Sequence, residues 1–291
     1  MKARSWCGEE LPRHGAAVAV IASSLYRREW IVVARRHALP TWLLTLAAAA
    51  HDAGKALPCY QAALEAACES GSNPSFAMHE AASAYAILAV PRLAPGPLGV
   101  WEASIVAAAA WLHHHGMGGR LIPPGLVAGL GRLRPCSGPS LAREASSPEG
   151  LAAMLESVIE ACRLAIEHLG GSSCSGALLD QLARASTRAP EDPRSIPSWL
   201  EVFGGAGRGL YGSVPEDPPR GYEGRRGSYI AASSFLAGVV SLSDTLAAQA
   251  SRRGLEALRA PGGYAGRVLS ENRSKLEALQ GIEPLLAALL A

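Results

Sequence analysis

Apolar residues recur at helical spacing along most of this chain, in segments that end at glycine or proline. Residues three and four apart lie on one face of a helix, so this pattern predicts buried or amphipathic helices. The predicted helices cover residues 15–25, 41–50, 60–69, 75–90, 101–115, 147–169, 176–185 and 228–250, with two further pieces within 270–291. The pattern therefore predicts an all-α fold.

The composition agrees with this fold class. Apolar residues make up 49% of the 291 residues and aromatic residues only 5%, a balance that favours closely packed helices over a sheet sandwich. We predict one helical bundle over residues 1–258, with a core of roughly 1–118 and 228–258 and an insertion at 119–227. A C-terminal helical extension follows at 259–291. Within the insertion, residues 186–227 are rich in proline, glycine and charge and are interpreted as a long excursion.

Charge and cysteine usage narrow the class of protein. The formal net charge of +2 gives no overall field that would drive the chain onto nucleic acid or an anionic membrane. The six cysteines form no C-x-x-C pair and have no regular spacing, so we expect free intracellular thiols rather than a zinc site or a disulfide framework. The N-terminus lacks the apolar core of a signal peptide, and no apolar run has the length of a membrane span. We expect a cytoplasmic protein with no membrane partner.

The segment His51-Asp52-Ala53-Gly54-Lys55 is the first candidate for chemistry, because it follows an apolar run that predicts a buried helix. An imidazole next to a carboxylate offers two ligand types that suit a divalent metal. A metal needs more ligands than one dipeptide provides. Further candidates occur near the ends of other predicted helices or within them, where an unpaired polar side chain would cost several kcal/mol (roughly 2–7). These are His14, His79, His114, His115 and Asp244.

Three consecutive histidines, 113–115, end a predicted helix just before Gly116. Adjacent residues on a helix point about 100° apart, so His114 and His115 reach one site only if that site lies close to the helix end. His113 is then expected to point elsewhere.

The order of these residues along the chain resembles that of an HD-domain metal phosphohydrolase, and one family matches more closely. HDAGKALPCYQ, which starts at His51, resembles the H-D-x-G-K-x4-[FY]-Q pattern of the HD nuclease of type I CRISPR interference, an antiviral defence system. HEAASAY from His79, HHG from His114 and SLSDTLAA around Asp244 resemble the later motifs of that family.

The first histidine of the family pattern has two candidates. His14, followed by Val18-Ala19 in a helix, fits the opening H-x-x-x-V-A better than His37, which lies in a basic turn too near the dyad. With His14, the resemblance extends over residues 14–248, although beyond Gly118 it is confined to the motif around Asp244.

The resemblance implies an HD-domain bundle with two divalent ions bridged by Asp52. We expect one ion to be held by His14, His51 and Asp244, and the other by His79, His114 and His115. Mn, Ni, Co or Fe is preferred, because imidazole binds transition metals better than Mg, and Mg remains the alternative. Lys55 is expected to place a positive charge on the scissile phosphate, or alternatively to pair with a metal-bound carboxylate.

The resemblance also implies the substrate and the partners. The family cuts single-stranded DNA exposed by a helicase, and no G-x-x-x-x-G-K-[ST] motif for an ATP-driven motor occurs in this chain. We therefore expect the stand-alone nuclease form, which works with a separate helicase subunit and an interference complex. Two alternatives remain: an HD phosphohydrolase acting on small nucleotides, and a non-catalytic binding subunit that retains the HD core.

Overall fold

The computed structural model describes residues 3–72, 76, 79–114, 136, 139–169, 174–188 and 221–290. Over these residues the fold is all-α, as predicted, with a single two-stranded antiparallel sheet. The strands are β1 (Arg4–Trp6) and β2 (Glu9–Glu10). The helices are α1 (Leu11–Arg36), α2 (Leu43–Ala50), α3 (Pro58–Ser70), α4 (His79–Leu93), α5 (Val100–Leu112), α6 (Pro139–Ala145), α7 (Pro148–Leu169), α8 (Gly176–Ser186), α9 (Arg226–Arg253), α10 (Gly263–Ser270), α11 (Arg273–Gly281) and α12 (Glu283–Leu290).

Helix α1 forms the centre of the bundle and packs against α2, α7 and α9. It is longer than the predicted segment 15–25, because the polar residues 26–29 continue the helix instead of ending it. Trp30 and Ala34 resume its buried face, while Arg27 and Arg28 point outward. The side chain of Trp30 then donates a hydrogen bond to the carbonyl of Thr41 (2.8 Å), which fixes the connection from α1 to α2.

Small residues let the central helices approach closely. All eight residues of α2 are buried, and half of them are alanine. At Gly15 of α1 an added Cβ would lie 3.0 Å from the carbonyl oxygen of Ala49. Because α2 sits this deep, the residues that follow it, His51 and Asp52, emerge inside the bundle rather than at its surface.

Part of the predicted insertion belongs to the main core. Helix α7 packs against α1 and α2, and its buried residues, among them Leu151, Leu155 and Val158, join the same hydrophobic cluster as those of α1. The three C-terminal helices contribute buried leucines to this cluster as well, and α11 and α12 pack on α1. The central part of the predicted excursion, residues 189–220, lies outside the described residues.

Two other expectations are changed by the structure. Helix α4 continues through Pro91 to Leu93 instead of ending before the proline. The segment Glu223–Arg253, which contains α9, is long and apolar enough to cross a membrane by length and composition, although no such run was expected. In this structure 67% of its most apolar stretch is buried among the other helices, as in the core helix of a bundle.

Four of the six cysteines are paired, so the expectation of free thiols throughout is wrong. Disulfides join Cys7 to Cys68 and Cys59 to Cys136, across 61 and 77 residues of sequence. The remaining two, Cys162 and Cys174, are free and buried, with their sulfur atoms 2.9 Å apart. The irregular spacing gave no sign of these pairs because the partners lie on segments that only the tertiary fold brings together.

A buried glutamine holds the loop that joins α4 and α5. Gln181 of α8 is fully buried, and its amide donates to the carbonyls of Ala94 (2.9 Å) and Leu98 (3.0 Å). Its side-chain oxygen accepts from the backbone N–H of Leu98 (2.8 Å). This one side chain therefore satisfies three backbone groups of the loop that joins the two helices.

Replacing Gln181 with alanine is expected to lower the free energy of unfolding by about 1–3 kcal/mol for each backbone group left unsatisfied and inaccessible to water. Denaturant unfolding of the variant would measure this loss. The matched control is Asp180→Ala, one residue earlier on the exposed face of α8, which should change the stability little. Equal stabilities of the two variants would contradict this role of Gln181.

Candidate metal centre

Five helices bring seven polar side chains to one buried place. The contributing side chains come from the first turn of α1, the turn after α2, the start of α4, the turn after α5 and the middle of α9. None of the seven residues is more than 9% exposed. They are His14, His51, Asp52, His79, His113, His114 and Asp244.

The first group of ligand atoms comes from His14, His51, Asp52 and Asp244. His14 Nε2 lies 3.0 Å from Asp244 Oδ1 and 3.7 Å from Asp52 Oδ2. His51 Nε2 lies 3.3 Å from the same Asp52 oxygen and 3.7 Å from Asp244 Oδ1. All four ligand atoms lie within 4.8 Å of one another, so this group could hold a metal ion.

The second group comes from Asp52, His79, His113 and His114 and meets the same distance limit. His79 Nε2 lies 2.8 Å from Asp52 Oδ1, and His113 Nε2 lies 3.7 Å from it. His114 Nε2 lies 3.4 Å from His79 Nε2. Asp52 thus belongs to both groups, with Oδ2 facing the first and Oδ1 facing the second.

Three of the histidines are oriented by the backbone just before them. The Nδ1 atom of each lies at hydrogen-bonding distance from the carbonyl oxygen three residues earlier, so Nδ1 carries the proton and Nε2 faces the centre. The pairs are His51 with Ala48 (2.7 Å), His79 with Phe76 (2.5 Å) and His113 with Ala110 (2.6 Å).

The donor set fits a metal ion, and two unsatisfied atoms support this. The Nε2 atoms of His51 and His113 are buried without a hydrogen bond. The contact of His51 with Asp52 (3.3 Å) has an unsuitable angle, and that of His113 (3.7 Å) is too long. A buried polar atom left unpaired costs free energy, which a coordinated cation would offset. Imidazole nitrogens and carboxylate oxygens together suit a divalent transition metal.

The pKa values of four groups in the centre are shifted because imidazoles and carboxylates are packed closely together. Burial alone would lower the pKa of His14, but the carboxylates of Glu9 and Asp244 raise it to about 10. Burial also opposes charge on His51, yet Asp52 and Asp244 raise its pKa to about 9. The pKa of Asp52 and that of Asp244 lie well below the usual value, because nearby cationic groups outweigh the effect of burial.

His113 and His114 behave in the opposite way. Burial lowers the pKa of each, and for His114 the neighbouring histidines lower it further. Both are therefore held as neutral imidazoles, the form in which histidine binds a metal.

Lys55 supplies a fixed positive charge beside the shared carboxylate. Its Nζ donates to Asp52 Oδ2 at 2.5 Å, and its side chain is 14% exposed. Burial alone would lower the pKa of Lys55, but the carboxylate of Asp52 raises it. The ammonium also lies 5.2 Å from the centre of the Phe76 ring.

The triple histidine is where sequence reasoning was wrong. His113, expected to point elsewhere, directs Nε2 toward Asp52, because it continues the helical backbone of α5 (φ −59°, ψ −26°) beyond Leu112. His115, expected to be a ligand, lies outside the described residues. His37, the alternative first histidine, ends α1 and lies 2.9 Å from Ser228 Oγ, whereas His14 lies in the centre.

Two supporting contacts were not predicted. An added Cβ at Gly54 would lie 2.1 Å from the carbonyl oxygen of His79, so only glycine lets this turn lie against the start of α4. Gly54 N–H donates to Ser83 Oγ (2.8 Å), which in turn donates to that carbonyl (3.0 Å). Ser83 lies one helical turn after His79, and this spacing in the sequence could have indicated the contact.

A third unpredicted contact is made by a carboxylate. Glu9 Oε1 lies 3.1 Å from His14 Nδ1 on the side away from the centre. The pKa of Glu9 falls to about 2, because His14 and neighbouring hydrogen bonds outweigh its burial. No pattern in the sequence indicated it, since Glu9 lies in a short polar segment before α1.

Compared with known proteins, the chain matches no protein-family model, no curated protein and no solved structure. Support for a function therefore comes from the geometry of this centre and from the motifs quoted above.

Without bound metal, the protein is expected to be most stable near pH 6.5, the ordinary histidine pKa. As the pH rises, the stabilisation from protonated His14 and His51 is lost through the range in which they titrate in the native state, up to about pH 10. As the pH falls below 6.5, the unfolded chain binds protons that native His113 and His114 do not bind, so stability declines again.

Urea unfolding with a chelator present, from about pH 5 to pH 10, measures this profile. His14→Gln should flatten its alkaline side, whereas the control His37→Gln, outside the centre, should leave the shape unchanged. A wild-type stability that does not vary with pH would contradict the assigned charges.

Proposed function

We propose that this chain is a metal-dependent phosphodiesterase that cuts single-stranded DNA internally, as the separate nuclease subunit of a type I CRISPR interference system. The observation that carries the proposal is the position of Asp52, whose two oxygens face two groups of imidazoles. A carboxylate shared in this way can hold two divalent ions side by side, and a close pair of ions is what two-metal phosphodiester cleavage uses.

The residues have distinct parts in holding the ions. His14, His51 and Asp244 would hold one ion, His79, His113 and His114 the other, and Asp52 both. Five imidazoles against two carboxylates favour Mn, Ni, Co or Fe over Mg. When bound, such ions supply Lewis acidity for the phosphate and a water nucleophile at neutral pH.

Lys55 has a role of its own in this proposal. Its ammonium is held next to the shared carboxylate and is partly exposed, so it is available to a phosphate oxygen arriving at the same place. A charge that is positioned before the reaction stabilises the transition state without reorganisation. The proposed role of Lys55 is therefore to balance negative charge on the phosphate, with Asp52 as its partner when no substrate is present.

The substrate class rests on the motifs. The proposed substrate is that of nucleases with the pattern H-D-x-G-K and a downstream Tyr-Gln pair, which receive single strands from a helicase. The glutamine of this pair, Gln61, makes hydrogen bonds that hold the turn in place. Its amide donates to the carbonyls of Lys55 (2.6 Å) and Arg4 (2.9 Å), which ties the turn carrying Lys55 to β1. The proposed partners are a separate helicase and the interference complex.

The proposed location is the cytoplasm, where invading DNA is exposed to such a complex. Two disulfides are unusual in that compartment, except in intracellular proteins of hyperthermophiles, which are disulfide-rich.

A second candidate is hydrolysis of a small nucleotide. The depth of the centre favours it, because the ligand residues are at most 9% exposed and a small phosphate ester needs less access than a polymer. Under this alternative the same ligands serve, and the substrate differs.

Asp52→Ala is expected to reduce cutting of a circular single-stranded DNA by at least about a hundredfold in the presence of Mn or Ni, because loss of mere supporting groups already costs 10–100-fold at metal sites. The control Asp180→Ala, the same substitution on the exposed face of α8, should cut like the wild type. Gel assay of circular substrate measures internal cutting, since a circle has no end to trim.

Equal cutting by Asp52→Ala and the wild type would remove the proposal. Hydrolysis of deoxynucleoside triphosphates or cyclic nucleotides with no cutting of the circle would favour the small-nucleotide alternative instead.

A further inference from the structure

His14 is oriented differently from the other histidines of the centre whose Nδ1 contacts are described. His51 and His113 follow the last turns of α2 and α5, where carbonyl groups have no partner within the helix and can accept from Nδ1. His14 lies in the first turn of α1, where the carbonyl three residues earlier, that of Leu11, belongs to the hydrogen-bonded helix. The backbone therefore cannot fix the ring of His14 in the same way.

A carboxylate takes the place of that carbonyl. Glu9 Oε1 lies 3.1 Å from His14 Nδ1, and His14 Nε2 then faces Asp244 and Asp52. Both partners of this contact are buried, with side chains 4% and 8% exposed. The contact is thus screened from water and has the form of the carboxylate–histidine pairs that support metal ligands.

Glu9 is itself held in place on both sides. Its second oxygen, Oε2, accepts a hydrogen bond from the hydroxyl of Ser5 across the β1–β2 hairpin. The hairpin is tied to the body of the protein by a disulfide from Cys7, and by Arg252 of α9 packed over the ring of Trp6 at 4.3 Å. A two-stranded sheet this short has little stability alone, so these contacts fix where the carboxylate sits.

We propose that Glu9 is a positioning residue for His14, and that the β1–β2 hairpin holds Glu9 in the position this requires. Glu9 keeps the proton of the ring on Nδ1, presents Nε2 to the first ligand group and makes that nitrogen a stronger donor. The inference rests on the metal-binding part of the proposed function and is independent of the substrate. It assigns a task to the only sheet in the described part of the chain.

The test is titration of the metal-free full-length protein with Co²⁺, followed by calorimetry and by visible absorption, which reports the ligands around cobalt. In Glu9→Gln one of the two binding events should weaken about 10–100-fold, with a changed absorption band for that event, while the other stays as in the wild type. Ser5→Ala keeps the charge of Glu9 but removes the hydrogen bond from Ser5 to Oε2, and should weaken the same event by a smaller factor. The control Glu10→Gln, at the partly exposed residue of β2 that pairs with Arg13 (3.4 Å) and not with His14, should change neither event.

Unchanged affinities and spectra in Glu9→Gln would overturn the inference, and so would equal weakening of both events, which indicates a general effect on folding. If Glu9→Gln does not fold, Ser5→Ala decides in the same way. DNA cutting is scored separately: two Co²⁺ sites with the expected Glu9 effect but no cutting would reject the proposed nuclease and leave this inference standing.

Discussion

The fold depends on placing one ionised carboxylate, Asp52, where water cannot reach it. A buried charge of this kind is costly unless other charges and hydrogen bonds surround it. Here the surroundings are two sets of imidazoles, which come from four parts of the chain, and the ammonium of Lys55 from the same turn as Asp52. The helices can therefore pack closely around Asp52 only in an arrangement that also builds the candidate metal centre.

The packing of small residues makes this arrangement possible. The alanines of α2 and the close approach at Gly15 let the helix before His51 run through the middle of the bundle. Gly54 does the same for the turn after Asp52, which lies against the start of α4 with no room for a side chain. Stability and function are thus linked, since a larger residue at either glycine would displace ligands as well as helices.

Much of this could be predicted from the sequence, and the remainder has physical reasons. Apolar periodicity predicted the helices, because burial of one face is a local property that spacing reveals. It also placed His51, Asp52 and Asp244 in apolar surroundings, where the cost of burial indicated a shared site. His114 was predicted correctly, but the expectation that His113 points away from the site was wrong. Which of three consecutive histidines face inward depends on how the helix ends against its neighbours. The disulfide partners were missed because they lie 61 and 77 residues apart in sequence. Glu9 was missed although it is only five residues from His14, because it lies in a short polar segment that no apolar pattern marks.

The most direct test of the account is anomalous diffraction from crystals of the protein grown with Co²⁺ or Mn²⁺. The account predicts two peaks in the core of the bundle, one on each side of Asp52, with Oδ2 bound to one ion beside His14 and His51 and Oδ1 bound to the other beside His79 and His113. Crystals that contain the metal but show no peak within reach of Asp52 would contradict it.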